Sequence, residues 1–274
     1  MSAPDAVLST PETAPGDPWR RWRGWWRVIG SVVAIAMLVA GVVNVVGKLS
    51  ERTETVDRSL STEGIGSLQV EVDSSELEIV GGSGDRIVVT GTIVTGLRRT
   101  ELVVDGRDGV AVVQLDCHRG PLDACGGSLR IEVPQELDVS VDAPDTGVSL
   151  DGLDGDVEVR STNSAIAASF LSGRVRLHTT NDSVVAGALR SSDVEVTTSN
   201  DRVELAFEVE PRSVVVETSN DAVLVVVPNT EEFYDLQLAT SNASTSAEVR
   251  SDPDSDRRIA VETSNDDIVV TYPG

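Results

Sequence analysis

Side chains that carry chemistry are scarce in this chain. Of its 274 residues only two are histidine, His118 and His178, and two cysteine, Cys117 and Cys125, while aromatics make up 3%. The sequence holds no His-Glu-x-x-His zinc signature, no phosphate-cradling loop and no nucleophile elbow, and no paired carboxylates stand apart from a regular pattern. This composition argues against an enzyme and calls for no cofactor. All four tryptophans fall between residues 19 and 26, so the remainder offers no indole platform for sugars; it has only Phe170, Phe207, Phe233, Tyr234 and Tyr272. Positive charge is also short. From Lys48 onward 18 basic residues face 42 acidic ones, a net charge near −24, which disfavours nucleic acid and anionic membrane surfaces and keeps a long exposed domain soluble.

What the chain has is repetition. Eight times a twelve-residue frame returns, six times with asparagine at its centre: Asn163, Asn181, Asn200, Asn220, Asn242 and Asn265. Apolar residues stand six and four places before the centre, a small residue or threonine two before, and apolar or small residues usually follow at plus three and plus five. Around Asn200 this reads Val194, Val196, Thr198, then Val203, Leu205. Two further copies keep the frame around Asp145 and Ser74. From Asp145 to Asn265 the centres are 18, 18, 19, 20, 22 and 23 residues apart. Alternation of period two marks half-buried strands, and a repeat of this length marks a solenoid in which each copy covers the next. The expected fold is all-β: a single-stranded β-solenoid of about eight coils over residues 62–274, each coil with three sides, stacked in parallel about 4.8 Å apart.

Asparagine tolerates left-handed backbone, and its amide can bond neighbouring coils, so the six centres predict a structural Asn ladder at a corner. Six equivalent copies describe a ladder rather than one active centre. Outward residues such as Glu158, Arg176 and Glu195 fall on adjacent rungs, where opposite charges can pair. Asp182, Asp201 and Asp221 share one position on three rungs. Their carboxylates form either a calcium site or exposed turn positions. Phe170 and Phe207 are expected to plug coil corners. Phe233 and Tyr234, in a longer insertion, are the best candidates for an exposed contact loop.

Between about residues 80 and 136 the frame breaks into alternating runs separated by glycine-rich turns, which predicts an antiparallel hairpin insertion capping the start of the solenoid. Cys117 and Cys125, eight apart in a loop, predict a disulfide, with zinc beside His118 as the rival. At the far end Asp266 and Asp267 place charge on the last coil, a defence against strand addition.

Ahead of the solenoid, residues 28–47 form an almost unbroken apolar stretch long enough for one transmembrane helix. Arg20, Arg21, Arg23 and Arg27 interleave with Trp19, Trp22, Trp25 and Trp26 before it, a basic and aromatic belt that belongs on the cytoplasmic side. Residues 1–27 therefore read as a disordered cytoplasmic tail ending in that belt, residues 28–47 as an uncleaved signal anchor with a cleavable signal peptide as rival, and residues 48–61 as a linker. The C-terminal domain faces outward from the cell membrane.

The recurring Thr-Ser-Asn-Asp turns flanked by Val-x-Val, after a single apolar segment, resemble the toast-rack (adhesin-type) β-solenoid family of bacterial envelope proteins over roughly residues 62–272. Aspartate follows the asparagine at Asp182, Asp201, Asp221 and Asp266 where that family more often has glycine. The resemblance implies a right-handed, single-chain β-helix in a surface or envelope-stress context, without catalytic residues. The expected function is a membrane-anchored, non-catalytic binding scaffold, adhesin-like, whose partner is an envelope or surface protein or polysaccharide. The alternative is an envelope-stress sensor that works through a membrane signalling protein.

Overall fold

The computed structural model describes residues 25, 29–42, 52–73, 75–95, 101–116 and 125–274. The chain divides into two units, Met1–Val46 and Gly47–Gly274. In the first, residues 29–42 are helical, and Ile29, Val32, Ile35, Leu38 and Val42 are all exposed. Among the described residues no helix is long and apolar enough to cross a membrane. Val28 and residues 43–47, which complete the span read from the sequence, lie outside the described residues, as does the tail apart from Trp25.

The second unit is built of strands: β1 (Arg52–Ser61), β2 (Ser67–Val72), β3 (Glu76–Gly82), β4 (Arg86–Thr95), β5 (Glu101–Arg107), β6 (Val110–Asp116), β7 (Cys125–Pro134), β8 (Asp138–Asp142) and β9 (Gly147–Asp151). The central coils follow as β10 (Val157–Arg160), β11 (Ile166–Ser169), β12 (Val175–His178), β13 (Val184–Leu189), β14 (Asp193–Thr197), β15 (Val203–Phe207), β16 (Ser213–Glu217) and β17 (Val223–Val226). The last are β18 (Asp235–Ala239), β19 (Thr245–Ala247), β20 (Arg258–Glu262) and β21 (Ile268–Thr271). They form two sheets. The front sheet runs β1-β4-β7-β3-β9-β11-β13-β15-β17-β21-β19 and the back sheet β18-β20-β16-β14-β12-β10-β8-β2-β6-β5.

From β6 onward, each even-numbered strand lies in the back sheet and the odd-numbered strand after it in the front; β2 and β3 do the same. These nine pairs are the coils, and they stack in parallel. The phase of the repeat explains why. Residues at minus six and minus four, such as Val194 and Val196, turn inward from the back sheet, and those at plus three and plus five, such as Val203 and Leu205, turn inward from the front; all four are buried. Consecutive coils place Val194 beside Val214 and Val203 beside Val223, so the core is a set of matched aliphatic columns. Burying each such side chain contributes roughly 1.5–3 kcal/mol.

Four sequence expectations change. The coil has two strands, not three sides. Its third segment is a turn, stacked through bonds such as Arg190 N–H to the Leu171 carbonyl at 2.8 Å, with Leu153, Leu171 and Leu189 buried beneath it. The segment read as a linker over 48–61 contains β1, which pairs antiparallel with β4 along its whole length. Within the expected hairpin insertion only β4 and β5 are antiparallel additions, and β6 and β7 form a ninth coil parallel to β2 and β3. Finally, stacking does not follow chain order at the ends. The coil β20/β21 lies between β16/β17 and β18/β19, and the coil β2/β3 lies between β6/β7 and β8/β9. Val196 and Val216 are therefore neighbours as expected, whereas Leu238 meets Val261 instead of Val216.

Candidate binding face

Along one corner the six asparagines form a continuous column. Each donates its side-chain Nδ2–H to the next Oδ1: Asn242 to Asn265, Asn265 to Asn220, Asn220 to Asn200, Asn200 to Asn181 and Asn181 to Asn163, all at 2.8 Å. The column ends on Asp145, whose Oδ1 accepts from Asn163 at 2.7 Å. Several amides carry a second bond to a backbone carbonyl, as Asn220 does to Ser199 at 3.0 Å. Two positions earlier, threonine hydroxyls are buried and bond across coils: Thr198 to the Asp182 carbonyl and Thr263 to the Asp221 carbonyl. The corner is thus a scaffold whose polar atoms bond mostly to one another, the exception being the buried Thr218 hydroxyl, which has no hydrogen-bond partner among the described residues.

The aspartates after the asparagines have local duties. Asp182, Asp201 and Asp221 each accept from the backbone N–H of the following residue at 2.7–2.8 Å, closing the corner turn. Among the described residues no group of three or more His, Cys, Asp or Glu is placed to hold a metal ion. Cys125 opens β7 opposite Thr95, while Cys117 and His118 lie outside the described residues, and with them the expected disulfide. His178 is exposed on the back sheet.

The expected contact loop splits. Phe233 is 48% exposed, but Tyr234 is 1% exposed, held by a bridge to Ser251, with burial pushing its phenol up to about 12. Phe207 is buried as expected. Phe170 instead lies 45% exposed with positive φ, and the Arg190 guanidinium sits 5.6 Å from its ring.

The outer surfaces of the two sheets differ in kind. The back sheet presents charge: Arg176 pairs with Glu195 across rungs at 3.3 Å, while Glu158 pairs with Arg160 on its own strand. The front sheet presents a second pattern that the frame also encodes, at plus four and plus six. Ala167, Val185, Glu204, Leu224 and Val269 stand side by side on β11, β13, β15, β17 and β21, a column of about 19 Å at the usual strand spacing. Beside it run Ala206 on β15 and Val226 on β17, which are register partners. All are exposed or half-buried, and Glu204, ion-paired to Arg202 at 2.9 Å, is the one charge in the column.

The same sheet deepens toward its other end into an open groove of about 610 Å³ lined by Glu78, Thr90, Gly91, Ser128, Arg130 and Ser149. Small residues make its floor. A side chain at Gly91 would bring Cβ to 2.0 Å from the Ser128 carbonyl, and its φ of 154° suits glycine. Arg130 spans the groove in an ion pair with Glu78, and that hydrogen bond and charge hold the guanidinium above its ordinary pKa. Sequence reading followed the outward residues before each asparagine and so missed this face, although the aliphatic residues at plus four signalled it.

No protein-family model matches this chain, and neither does any curated protein. Among solved structures it is similar to a proposed cell adhesion protein from Clostridium sporogenes, at 8% identity and a TM-score of 0.38, covering 81% of this chain and 100% of that one. It is likewise similar to a proposed adhesin from Parabacteroides merdae, at 7% identity and a TM-score of 0.37, covering 81% of this chain and 97% of that one. A third similarity is to a proposed adhesin from Bacteroides fragilis, at 8% identity and a TM-score of 0.30, covering 80% of this chain and 97% of that one.

Proposed function

We propose that this protein is a membrane-anchored, outward-facing, right-handed β-solenoid that serves as a non-catalytic binding scaffold, adhesin-like, and that it grips its partner with the outer face of the front sheet. The observation that carries this is the asymmetry of the two outer faces. In a chain of net charge −23 the back sheet is charged, while Ala167, Val185, Leu224 and Val269 with Ala206 and Val226 form an aliphatic strip interrupted by a single carboxylate, Glu204, which is ion-paired to Arg202. An apolar patch of this kind on an otherwise charged surface marks a contact area for another protein. Flat strips without a pocket suit a broad surface more than a small ligand.

The anchoring rests on the exposed aliphatic residues of helix 29–42 and the Arg/Trp belt before it. Right-handed winding follows the hand that parallel strand crossovers adopt in nearly all sheets.

The full-length chain, immobilised in detergent, is to be incubated with solubilised envelope protein. Retention of an envelope protein by the native chain, abolished in the double variant Val185→Asp, Leu224→Asp, supports the reading. Equal retention by both, or none by the native chain, overturns it.

A further inference from the structure

The two ends of the stack are guarded differently. At one end the edge strands are β1 and β5, which carry Arg52, Glu54, Asp57 and Arg58, and Glu101, Asp105 and Arg107. Charge on an edge strand is the ordinary protection against strand addition. At the other end the edges are β18 and β19; Asp235 opens β18 and Glu248 follows β19, but between them, from Leu236 to Ala247, the chain runs through twelve residues without one charged side chain, although charged residues make up 24% of the sequence. Asp266 and Asp267, which the sequence placed on the last coil, lie one layer inside it. The Asp267 carboxylate is occupied by Ser244, accepting from its N–H at 2.9 Å and its hydroxyl at 2.7 Å.

The end coil also leaves the core open. Thr245 and Ala247 occupy inward positions, opposite Ile268 and Val270, yet both are exposed, and Leu236 and Leu238 are only half-buried. Asn242 ends the amide column with an Oδ1 that accepts no hydrogen bond among the described residues.

We propose that this end is a docking surface for a second copy of the same chain, joined end to end through the edges β18 and β19 around a twofold axis. The charge pattern selects that occupant. Two copies of net charge −23 repel over most of their surfaces, and residues 236–247 form an area where like meets like without penalty. A basic partner would find no carboxylate within that segment to pair with. Closure follows from the other end: β1 and β5 are charged edge strands, held antiparallel on β4 and on β6 respectively, so copies do not add head to tail, and assembly stops at two. This inference stands independently of the front-sheet reading.

The test is the mass of the full-length chain in mild detergent, by sedimentation or light scattering over a range of concentrations. A dimer is expected, and added salt raises its share because it screens the mutual repulsion. The double variant Thr245→Lys, Ala247→Lys is expected to halve the mass with an unchanged melting temperature, and Thr55→Lys on β1 to leave the dimer intact. A single-chain mass at every concentration, with the end coil serving as its own cap, overturns the proposal. So does growth beyond two copies, or equal disruption by Thr55→Lys.

Discussion

Asn242 donates its side-chain amide to Asn265, 23 residues further along the chain, at 2.8 Å, and it is Asn265 that reaches Asn220. This one bond records the exchange of coil order at the end of the stack. It makes Asn265 an interior rung with a neighbour on either side, and Asn242 the terminal rung.

Replacing the two asparagines with alanine distinguishes the orders. Asn265→Ala removes two rung bonds and the bond to the Ser219 carbonyl and is expected to cost roughly 2–3 kcal/mol, while Asn242→Ala removes one rung bond and the bond to the Ser264 carbonyl and costs about two thirds as much. Denaturant unfolding of both variants checks this, and the reverse ranking would restore chain-order stacking.

Tyr234 is buried, and its hydroxyl has no hydrogen-bond partner among the described residues. Tyr234→Phe is therefore expected to be neutral or to stabilise by about 1 kcal/mol, since it removes an unsatisfied polar group while keeping the ring. In the native chain the phenol ionises at about 12 instead of 10 because burial opposes its charge. The folded pKa is raised, so the contribution is intact below pH 10 and is lost as pH climbs toward 12. A spectrophotometric titration should lose this late step in the variant.

The hydrogen bonds from Ser244 hold the Asp267 carboxylate below its ordinary pKa of 3.8. A depressed folded value means the contact stabilises above that pH and is lost as pH falls below it. Acid should loosen the end coil first. Asp267→Asn is expected to loosen the same segment at neutral pH, read as faster amide hydrogen exchange over residues 242–247.

Gly91 and Gly127 sit on adjacent strands with φ near 150°, and a Cβ on either would lie 2.0 Å from a carbonyl oxygen across the pair. Gly91→Ala or Gly127→Ala is expected to cost about 3 kcal/mol through strain and displacement of β4 from β7. Thermal melting measures it. A loss under half a kilocalorie would show that this pairing tolerates a side chain.

The inward columns were legible in the sequence because a period of two leaves no choice of face once Val194, Val196, Val203 and Leu205 are phased around one asparagine. The ladder followed from the same phasing. Coil order was hidden, because the frames around Asn220, Asn242 and Asn265 are nearly interchangeable and any would stack on any other. What separates them is the thinning of the core at Thr245 and Ala247, which weakens the case for an interior place. Burial of Tyr234 depended on the Ser251 segment folding over it, a contact between parts of the chain that carry no repeat. The front-sheet strip was written at plus four, in residues that look unremarkable one at a time.

The intercalated last coil has a consequence for biogenesis. While the chain is still being synthesised, β18 and β19 have no permanent neighbour, because the layer they rest on is encoded after them. The vacant slot above β17 is filled only when Thr271 has left the ribosome, so a product truncated before residue 258 would lose an inner storey and leave its former roof adrift.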